Sequence, residues 1–448
     1  MKKNIFKTLL VLAGIIIGYF LVLYLYPKNA GRYPFLVILL AGDYYLWSAF
    51  KSWVKSKGIF MRYFYRLLYW LPILLLISTS LFGLIYPSDL WPRGFSIYLF
   101  GFIFVAYAAK VLPILFLLLA DIFRVFQFAN KKAASLAKKH PTHNKGEKIN
   151  RNQFLKKAGL ISGGLMFSGL LMGMLKWAFD FKIHHHRLVI PHLPDSFNNL
   201  RIVQLSDIHL GSWASKTAMR EAVERINDLQ PDLIFFTGDL VNYKTDEAFP
   251  FEDILAGLKA ESGIFVTLGN HDYGDYTRWP SVAAKKQNMI DLYDFYDRLG
   301  WQLLNNENSV FANEDGKLAV VGVENWGDFG RFPKYGDLDK ALDGARDSDV
   351  KLLLSHDPSH WDKIVRQQFP DIDLTFAGHT HGFQFGVEIK NIKWSPAQYI
   401  YKHWAGIYHN PDKPSQRLYV NRGLGTIGYP GRVGILPEIS LFDLVNAA

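Results

Sequence analysis

Seven side chains of metal-binding types occur in five short motifs between residues 207 and 381 of the 448-residue sequence. They are Asp207 and His209 in Asp-Ile-His, Asp239 in Gly-Asp, Asn270 in Gly-Asn-His-Asp, the lone His356, and His379 and His381 in Gly-His-Thr-His. Carboxylate, amide and imidazole groups suit borderline divalent ions such as Mn, Fe or Zn. Each motif alone is a weak signal, but the five together predict a metal site.

Each motif directly follows an apolar stretch that is typical of a buried strand. The predicted strands are 200–205, 233–237, 263–268, 351–354 and 374–377, and a further strand, 318–323, carries no ligand. The spacing of apolar residues predicts helices over 217–229 and 251–259. Strands that alternate with helices indicate an α/β arrangement, in which ligands gather beyond the carboxyl ends of the strands. Five separated motifs can therefore meet at one point.

The order of these motifs resembles that of the calcineurin-like metallophosphoesterase family over residues 186–445. Its membrane-associated bacterial branch, with phosphodiesterases and UDP-2,3-diacylglucosamine pyrophosphatase-like members, is the part that the sequence resembles. The resemblance implies a metallophosphoesterase-type β-sandwich flanked by helices. It also implies that Asp207, His209 and His381 hold one metal, that Asn270, His356 and His379 hold the other, and that Asp239 bridges them.

Two metal ions of uncertain identity, with Mn, Fe and Zn as candidates, would hydrolyse a phosphodiester or pyrophosphate bond by a metal-bridging hydroxide. We expect His271 to act as a catalytic residue beside Asp239, either in transition-state hydrogen bonding or in protonation of the leaving oxygen. In many members of the family, an acidic residue three positions after the bridging Asp orients this His. Asn242 occupies that position here. Asp272 is an alternative partner for His271, and a supporting hydrogen bond in the loop is an equal possibility.

Two further segments bear on the substrate. Arg422 lies in a Gly-rich stretch and could bind a phosphate through paired donors, or could form a structural salt bridge. Phe383 replaces the second Gly that is usual after the Gly-His-x-His motif, and could contact an acyl chain or simply pack. The aromatic-rich segment 394–404 suits either a membrane-facing rim or a packed insertion in the fold. Asp357, which follows His356, is expected only to cap a helix or turn.

The net charge of +10 is unevenly divided along the chain. Residues 1–180 hold 23 Lys and Arg against 5 Asp and Glu, a net charge of +18, which leaves −8 for residues 181–448. The acidic part would repel a phosphate backbone, so we expect no nucleic acid as a partner. The sequence has no cysteine, which excludes disulfides and thiolate metal sites.

Long apolar runs predict a transmembrane region of about five α-helices within residues 1–180, followed by the metallophosphoesterase domain over residues 181–448. The runs are 5–26, 33–50, 64–86, 95–120 and 158–179. The first lacks a convincing cleavage site, so we expect a retained helix. Asp43 and Lys110 lie inside two of the runs, and either a functional role or a place in the bundle interior is open for them. His184, His185 and His186 are expected to form a solvated linker.

Basic residues cluster in the loop after the second run, from Lys51 to Arg62, and in the segment after the fourth, from Arg124 to Lys157. By the positive-inside rule these are cytoplasmic loops. Five crossings then predict an integral protein of a bacterial inner or cell membrane with its catalytic domain outside the cytoplasm.

The leading hypothesis is a phosphoesterase that acts on membrane lipids or a lipid-linked phosphate, because a tethered enzyme meets lipid headgroups at high effective concentration. UDP-2,3-diacylglucosamine hydrolysis in lipid A synthesis is an enzymatic alternative. A non-catalytic metal-binding membrane sensor is the alternative from another class. The oligomeric state is open.

Overall fold

The computed structural model describes residues 2–87, 90–136, 151–330, 332–390 and 392–447. The chain divides into two compact units. The first unit comprises Met1–Trp91 and Phe102–Gly169, and the second comprises Pro92–Gly101 and Leu170–Ala448.

Five α-helices account for most of the first unit, within the described part of the chain. They are α1 (Lys2–Leu25), α2 (Tyr33–Lys55), α3 (Ile59–Ile85), α4 (Arg93–Leu136) and α5 (Arg151–Leu175). Four helical segments are long and apolar enough to cross a bilayer: Ala30–Lys55, Ile59–Gly83, Arg93–Asn130 and Phe154–Phe179. The apolar part of α1, Leu9–Leu25, is shorter. The prediction of about five membrane helices is therefore approximately met. Part of the predicted basic segment, residues 137–150, lies outside the described residues.

The two charges predicted inside the membrane meet within the first unit. Lys110 Nζ lies 2.6 Å from Asp43 Oδ1, and Tyr107 donates a hydrogen bond of 2.9 Å to Asp43 Oδ2. Asp43 is 1% exposed. Asp43 can remain charged inside an apolar bundle because Lys110 balances its charge and Tyr107 satisfies its second carboxylate oxygen. The pair thus links α2 to α4 in the bundle interior.

The second unit contains two six-stranded sheets. The first sheet has the order β1 (Lys182–Val189), β14 (Glu438–Val445), β2 (Leu200–Leu205), β3 (Leu233–Phe236), β4 (Ile264–Val266) and β5 (Gln302–Leu303). The second has the order β12 (Gly406–His409), β13 (Arg417–Val420), β9 (Leu374–Ala377), β8 (Val350–Leu354), β7 (Gly316–Gly322) and β6 (Glu307–Asn313). A separate antiparallel hairpin consists of β10 (Val387–Ile389) and β11 (Ile392–Trp394).

Helices cover the outer faces of both sheets. They are α6 (Lys216–Asp228), α7 (Glu252–Leu255), α8 (Val282–Leu299), α9 (Leu338–Ala341), α10 (Pro358–His360) and α11 (Arg366–Gln368). The strands β2, β3 and β4 run parallel, as do β7, β8, β9 and β13. Their carboxyl ends therefore supply the loops that carry the predicted ligands.

Alternate residues of each central strand face opposite layers of the fold. In β2, Ile202 packs between the sheets, whereas Val203 packs toward α6 and α8. In β8, Leu352 faces the space between the sheets and Leu353 faces the helices on the other side. Both faces of each sheet are thus buried, which explains the continuous apolar runs of these strands. The predicted β-sandwich flanked by helices is confirmed.

Two local predictions are wrong. The three histidines do not form a solvated linker, because they lie in β1, where His185 pairs with Leu441 of β14 and His186 Nε2 lies 3.0 Å from the Tyr419 hydroxyl. A polar edge strand has no apolar alternation for a sequence pattern to detect.

The helix predicted over 251–259 is limited to the four residues of α7. Gly257 follows it closely and disfavours helix continuation.

Candidate metal centre

The seven predicted ligands come together at the carboxyl ends of five strands. Asp207 and His209 follow β2, Asp239 follows β3, Asn270 follows β4, His356 follows β8, and His379 and His381 follow β9. Five of them have left-handed backbone conformations: Asp207, His209, Asp239, His379 and His381. Such conformations are unfavourable for residues other than glycine, and they concentrate where function fixes the direction of a side chain. We call these seven residues the metal-ligand cluster.

One group of ligands consists of Asp207, His209 and His381, and all three side chains are buried. His381 Nε2 lies 3.2 Å from Asp207 Oδ1 and 3.0 Å from His209 Nε2. One ligand atom from each residue lies within 4.8 Å of the others. The backbone N–H of His379 donates to both carboxylate oxygens of Asp207, at 3.1 and 3.0 Å, and so holds the carboxylate in place.

A second group consists of Asp239, His356 and His379 and has the same spacing of ligand atoms. His356 Nε2 lies 3.2 Å from Asp239 Oδ2 and 3.2 Å from His379 Nδ1. The carbonyl of Thr237 lies 2.7 Å from His356 Nδ1 and thereby turns Nε2 toward the centre. Asp239 Oδ2 also lies 3.6 Å from His209 Nε2, so this oxygen stands between the two groups.

Asn270 lies in the loop after β4, directly before His271, whose backbone N–H contacts Asp239. Asn270 Nδ2 donates a hydrogen bond of 2.8 Å to the Tyr276 hydroxyl. Its Oδ1 is buried and has no hydrogen-bond partner among the described residues. A buried carbonyl oxygen without a partner is costly unless a cation or water meets it. The sequence did not identify Tyr276, because its position depends on the conformation of the loop after β4.

His271 lies at the rim, half-exposed, and three contacts fix its position. Its Nδ1 lies 2.7 Å from the backbone carbonyl of Asn242. Its ring stacks on Tyr276 with centroids 4.3 Å apart, and its backbone N–H donates to Asp239 Oδ1 at 2.8 Å. The Asn242 side chain instead donates to Ser212 Oγ at 2.9 Å. Position 242 thus contacts His271 through its backbone carbonyl, where many members of the family have an acidic side chain.

Asp272 supports the backbone of the loops. Its carboxylate accepts hydrogen bonds of 2.8 Å from the backbone N–H groups of Asp239, Leu240 and Gly269. It is fully buried, and burial together with the nearby charge of Asp239 raises its pKa to about 7. Of the two possibilities stated for Asp272, these contacts favour the supporting one.

The electrostatics couple the carboxylates to the imidazoles. Burial opposes ionisation of Asp239, but His356 and His271 outweigh it and hold the pKa of Asp239 well below its usual range. Burial also opposes protonation of His356, yet the carboxylates of Asp239 and Asp207 raise its pKa to about 10. Asp239 and His356 thus each favour the charged form of the other.

Gly423, the residue after Arg422, lies close to Asp207 and His381, but Arg422 directs its guanidinium to two carboxylates. Its Nη2 lies 2.6 Å from Glu388 Oε1, and its Nη1 donates to Glu438. Glu438 is fully buried, and Arg422 is 3% exposed. We call these three residues the arginine cluster. Both terminal nitrogens are engaged by carboxylates, which favours the structural salt bridge, and a phosphate contact by Arg422 stays a prediction.

The 394–404 segment contributes one side chain that the sequence did not single out. The Tyr401 hydroxyl lies 2.9 Å from His379 Nε2, on the side of the ring opposite to His356. Asp357 Oδ2 lies 3.5 Å from the same nitrogen, while Asp357 Oδ1 accepts from the backbone N–H of Ser359. Asp357 thus caps α10 as expected and also faces a ligand. Trp404 is buried, whereas Tyr399 is 75% exposed.

Two sequence families match successive parts of the chain. Residues 20–177 match the family described as "Probable Calcineurin-like phosphoesterase, transmembrane domain". Residues 200–383, which carry the whole metal-ligand cluster, match the family described as "Calcineurin-like phosphoesterase".

Three proteins from different organisms have similar sequences. The transmembrane protein with metallophosphoesterase domain from Danio rerio is 29% identical over 61% of this chain and 60% of its own length. The metallophosphoesterase YkuE from Bacillus subtilis is 28% identical over 66% of this chain and 98% of its own length. The UDP-2,3-diacylglucosamine pyrophosphatase LpxG from Chlamydia trachomatis is 29% identical over 52% of this chain and 81% of its own length.

The similarity to the Danio rerio protein thus spans only 60% of that protein. The family assignment follows from the two matched regions together with the five strand-end motifs. The chain belongs to the calcineurin-like phosphoesterase family and carries an N-terminal transmembrane domain.

Proposed function

We propose that the metal-ligand cluster holds two divalent cations and that the chain hydrolyses a phosphodiester or pyrophosphate bond. The observation that carries this proposal is the position of Asp239 Oδ2, 3.2 Å from His356 Nε2 and 3.6 Å from His209 Nε2. Asp239 would be shared by two ions, with Asp207, His209 and His381 around one and Asn270, His356 and His379 around the other. This is the arrangement that the family resemblance implied.

The donor set fits such ions. Four imidazoles and two carboxylates converge on one space, and the buried Oδ1 of Asn270 has no partner among the described residues. Mixed nitrogen and oxygen donors suit Mn, Fe or Zn, and availability decides among these metals. When bound, two such ions neutralise charge on the phosphate and acidify a water molecule that serves as the nucleophile.

We assign proton transfer at the leaving oxygen to His271. The carbonyl of Asn242, 2.7 Å from Nδ1, fixes that nitrogen as the N–H. The other ring nitrogen is then the one that can exchange a proton with a substrate oxygen. Stacking on Tyr276 prevents the ring from rotating away. Asp239 also helps to position His271, because it accepts a hydrogen bond from the backbone N–H of His271.

We further propose that the substrate is a membrane lipid or a lipid-linked phosphate. The transmembrane helices keep the catalytic domain at a membrane surface, where headgroups have a high effective concentration. LpxG is a UDP-2,3-diacylglucosamine pyrophosphatase, and its diacylated substrate belongs to the same chemical class. Hydrolysis of UDP-2,3-diacylglucosamine by this chain is therefore the second candidate function.

We propose a side of the membrane from the connections of the last two helices. The first residues of α4 and the last of α5 belong to the catalytic unit, whereas the basic segment connects their opposite ends. Because basic segments remain in the cytoplasm, the catalytic unit would lie outside it, in a bacterial inner or cell membrane. The proposed side is the same whether or not α1 crosses the bilayer. A reporter fused after Ala448 that is active only in the cytoplasm would reverse it and would favour the UDP-2,3-diacylglucosamine candidate.

The catalytic proposal is tested by Asp239→Asn in the full-length, detergent-solubilised chain loaded with Mn²⁺. We expect hydrolysis of bis-p-nitrophenyl phosphate to fall by more than the roughly 10–100-fold typical of a residue outside the ligand shell. Asp347→Asn, which changes an exposed carboxylate paired with Lys317, is the matched control and should retain full activity. Wild-type chain that binds two Mn²⁺ but hydrolyses neither this compound nor any lipid phosphate would favour the sensor instead.

A further inference from the structure

The hairpin of β10 and β11 presents its apolar side chains to the surroundings. Val387 pairs with Trp394, and Ile389 pairs with Ile392, so all four lie on one face of the hairpin. They are 40%, 37%, 63% and 64% exposed, respectively. In a hairpin on a soluble domain, the apolar face normally packs on the core and the polar face meets water. This hairpin has the opposite arrangement.

The polar face of the hairpin is fixed to the domain. Glu388 and Lys393 pair with each other across the strands and share the opposite face. Glu388 Oε1 lies 2.6 Å from Arg422, which in turn pairs with the buried Glu438. Lys393 Nζ donates to the carbonyl of Ala405 and lies 4.9 Å from the ring centroid of Trp404. A shift of one residue would bury the apolar face but would break these contacts, so the outward face is specified.

The base of the hairpin joins the loop that contacts the end of α5. Phe385 bridges to Val433, and the N–H of Gly386 donates to the Val433 carbonyl at 2.9 Å. The adjacent Arg432 N–H donates to the carbonyl of Gly173 at 3.2 Å. A Cβ on Gly173 would lie only 2.6 Å from the Arg432 carbonyl oxygen, so glycine permits this close approach.

All of these residues belong to the second unit. The segment Phe154–Phe179, which contains Gly173, is one of those long and apolar enough to cross a bilayer. The base of the hairpin therefore lies close to the end of this helical segment. Phe383 and Phe385, 44% and 41% exposed, extend the apolar surface toward the loop that carries His379 and His381.

We propose that the outer face of this hairpin is embedded in the lipid surface of the membrane that anchors the chain. The proposal deepens the proposed function and rests on it for the identity of the substrate. Lipid matches the apolar face, Trp394 and Tyr399 suit the interfacial region, and Lys390 at the turn suits anionic headgroups. Only Gly382 separates Phe383 from the ligand His381, so embedding would hold the metal-ligand cluster at the depth of lipid phosphates.

The absence of cysteine from the sequence allows a direct test with single labels. Ile389→Cys and Ile392→Cys would each carry an environment-sensitive NBD fluorophore in full-length chain reconstituted into phosphatidylethanolamine and phosphatidylglycerol vesicles. Val310→Cys on β6 is the control, because Val310 is also an exposed apolar strand residue, at 37%. Doxyl-labelled lipids then report contact with hydrocarbon.

We expect blue-shifted emission from both hairpin labels and about threefold stronger quenching by doxyl lipids than at Val310, because the quencher resides in the hydrocarbon region. Water-like emission at both hairpin positions would overturn the proposal. A blue shift without lipid quenching would overturn it as well, because the face would then be covered by protein, such as a second copy. Two label positions guard against one variant that misfolds.

The measurement does not depend on turnover. Repeating it in an Asp239→Asn background separates the two claims, because that variant removes a proposed metal ligand and leaves the hairpin unchanged. Lipid quenching in a chain whose wild type hydrolyses nothing would support embedding while rejecting the proposed hydrolysis. Hydrolysis by a chain whose hairpin labels remain in water would do the opposite.

Discussion

The metal-ligand cluster and the arginine cluster are both buried polar groups of the second unit, but only the arginine cluster contains a permanent cation. Arg422 lies between the carboxylates of Glu388 and Glu438. In the metal-ligand cluster, the carboxylates of Asp207 and Asp239 face imidazoles instead. Buried charges are retained when they are paired. The difference indicates that the arginine cluster stabilises the fold, whereas the donor groups of the metal-ligand cluster suit divalent cations.

The largest expected effect is the loss of the permanent cation. Arg422→Ala would leave Glu438 fully buried without its partner, at a cost of about 3–5 kcal/mol. We expect the melting temperature of the solubilised chain, followed by tryptophan fluorescence, to fall by roughly 10 °C. Arg422→Lys retains the charge and should lose less. A normal melting temperature with a raised KM for bis-p-nitrophenyl phosphate would contradict this and would make Arg422 a substrate contact.

The metal-ligand cluster should respond in the opposite way, by gaining stability when a cation is added. Binding of Mn²⁺ at a concentration 100 times its Kd would stabilise the folded state by about 2.7 kcal/mol per site. We expect Mn²⁺ to raise the melting temperature, EDTA to reverse the rise, and His209→Ala to reduce it. Arg422→Lys should show the same rise as the wild type. If Mn²⁺ had no effect on the wild type, the contrast between the clusters would fail.

The sequence predicted the residues of the metal-ligand cluster better than the contacts that hold those residues in position. Asp239 and its fellow ligands follow strands whose apolar runs are long enough to recognise, so the edge on which they meet could be inferred. The contacts that hold these residues in position depend on the conformation of loops. The contact of Tyr276 with Asn270 and that of the Asn242 carbonyl with His271 depend on backbone turns that no residue pattern encodes.

The secondary structure likewise contains elements that the sequence predicts and elements that it does not. Buried parallel strands such as β8 have a strong apolar signal, whereas β1 is a polar edge strand whose pairing partner, β14, lies at the other end of the unit. Pairing between segments so far apart depends on tertiary packing rather than on local propensity. The hairpin of β10 and β11 escaped prediction because strands of three residues are too short to establish an alternating pattern.

A smaller effect tests whether metal binding by Asn270 depends on its contact with Tyr276. Tyr276→Phe removes the hydroxyl that accepts from Asn270 Nδ2 but retains the ring that stacks on His271. We expect Mn²⁺ affinity, measured from the activity titration, to fall about 10-fold, while kcat at saturating Mn²⁺ changes little. Tyr335→Phe, at a half-exposed tyrosine outside the cluster, is the control. Equal affinity in the two variants would show that Asn270 does not need this support.

The smallest effect concerns Glu247, a partly buried carboxylate that is held by backbone N–H groups. Its oxygens accept from the backbone N–H groups of Asn242 and Tyr243, at 2.6 and 3.2 Å. Burial outweighs these bonds and raises the pKa of Glu247 from 4.5 to about 7. The folded state therefore binds a proton that the unfolded state has already released between these pH values, so stability must fall as pH rises from about 4.5 to 7.

Glu247→Gln keeps an acceptor at this position without the ionisation. Subtracting the wild-type melting curve from that of the variant cancels the titration of the histidine ligands, which both proteins share. We expect the difference in melting temperature to increase in favour of the variant by several °C between pH 5 and pH 8, because only the wild type loses stability as Glu247 ionises. A flat difference would mean that Glu247 is ionised throughout and that the two backbone donors compensate its charge as fully as Arg422 compensates Glu438.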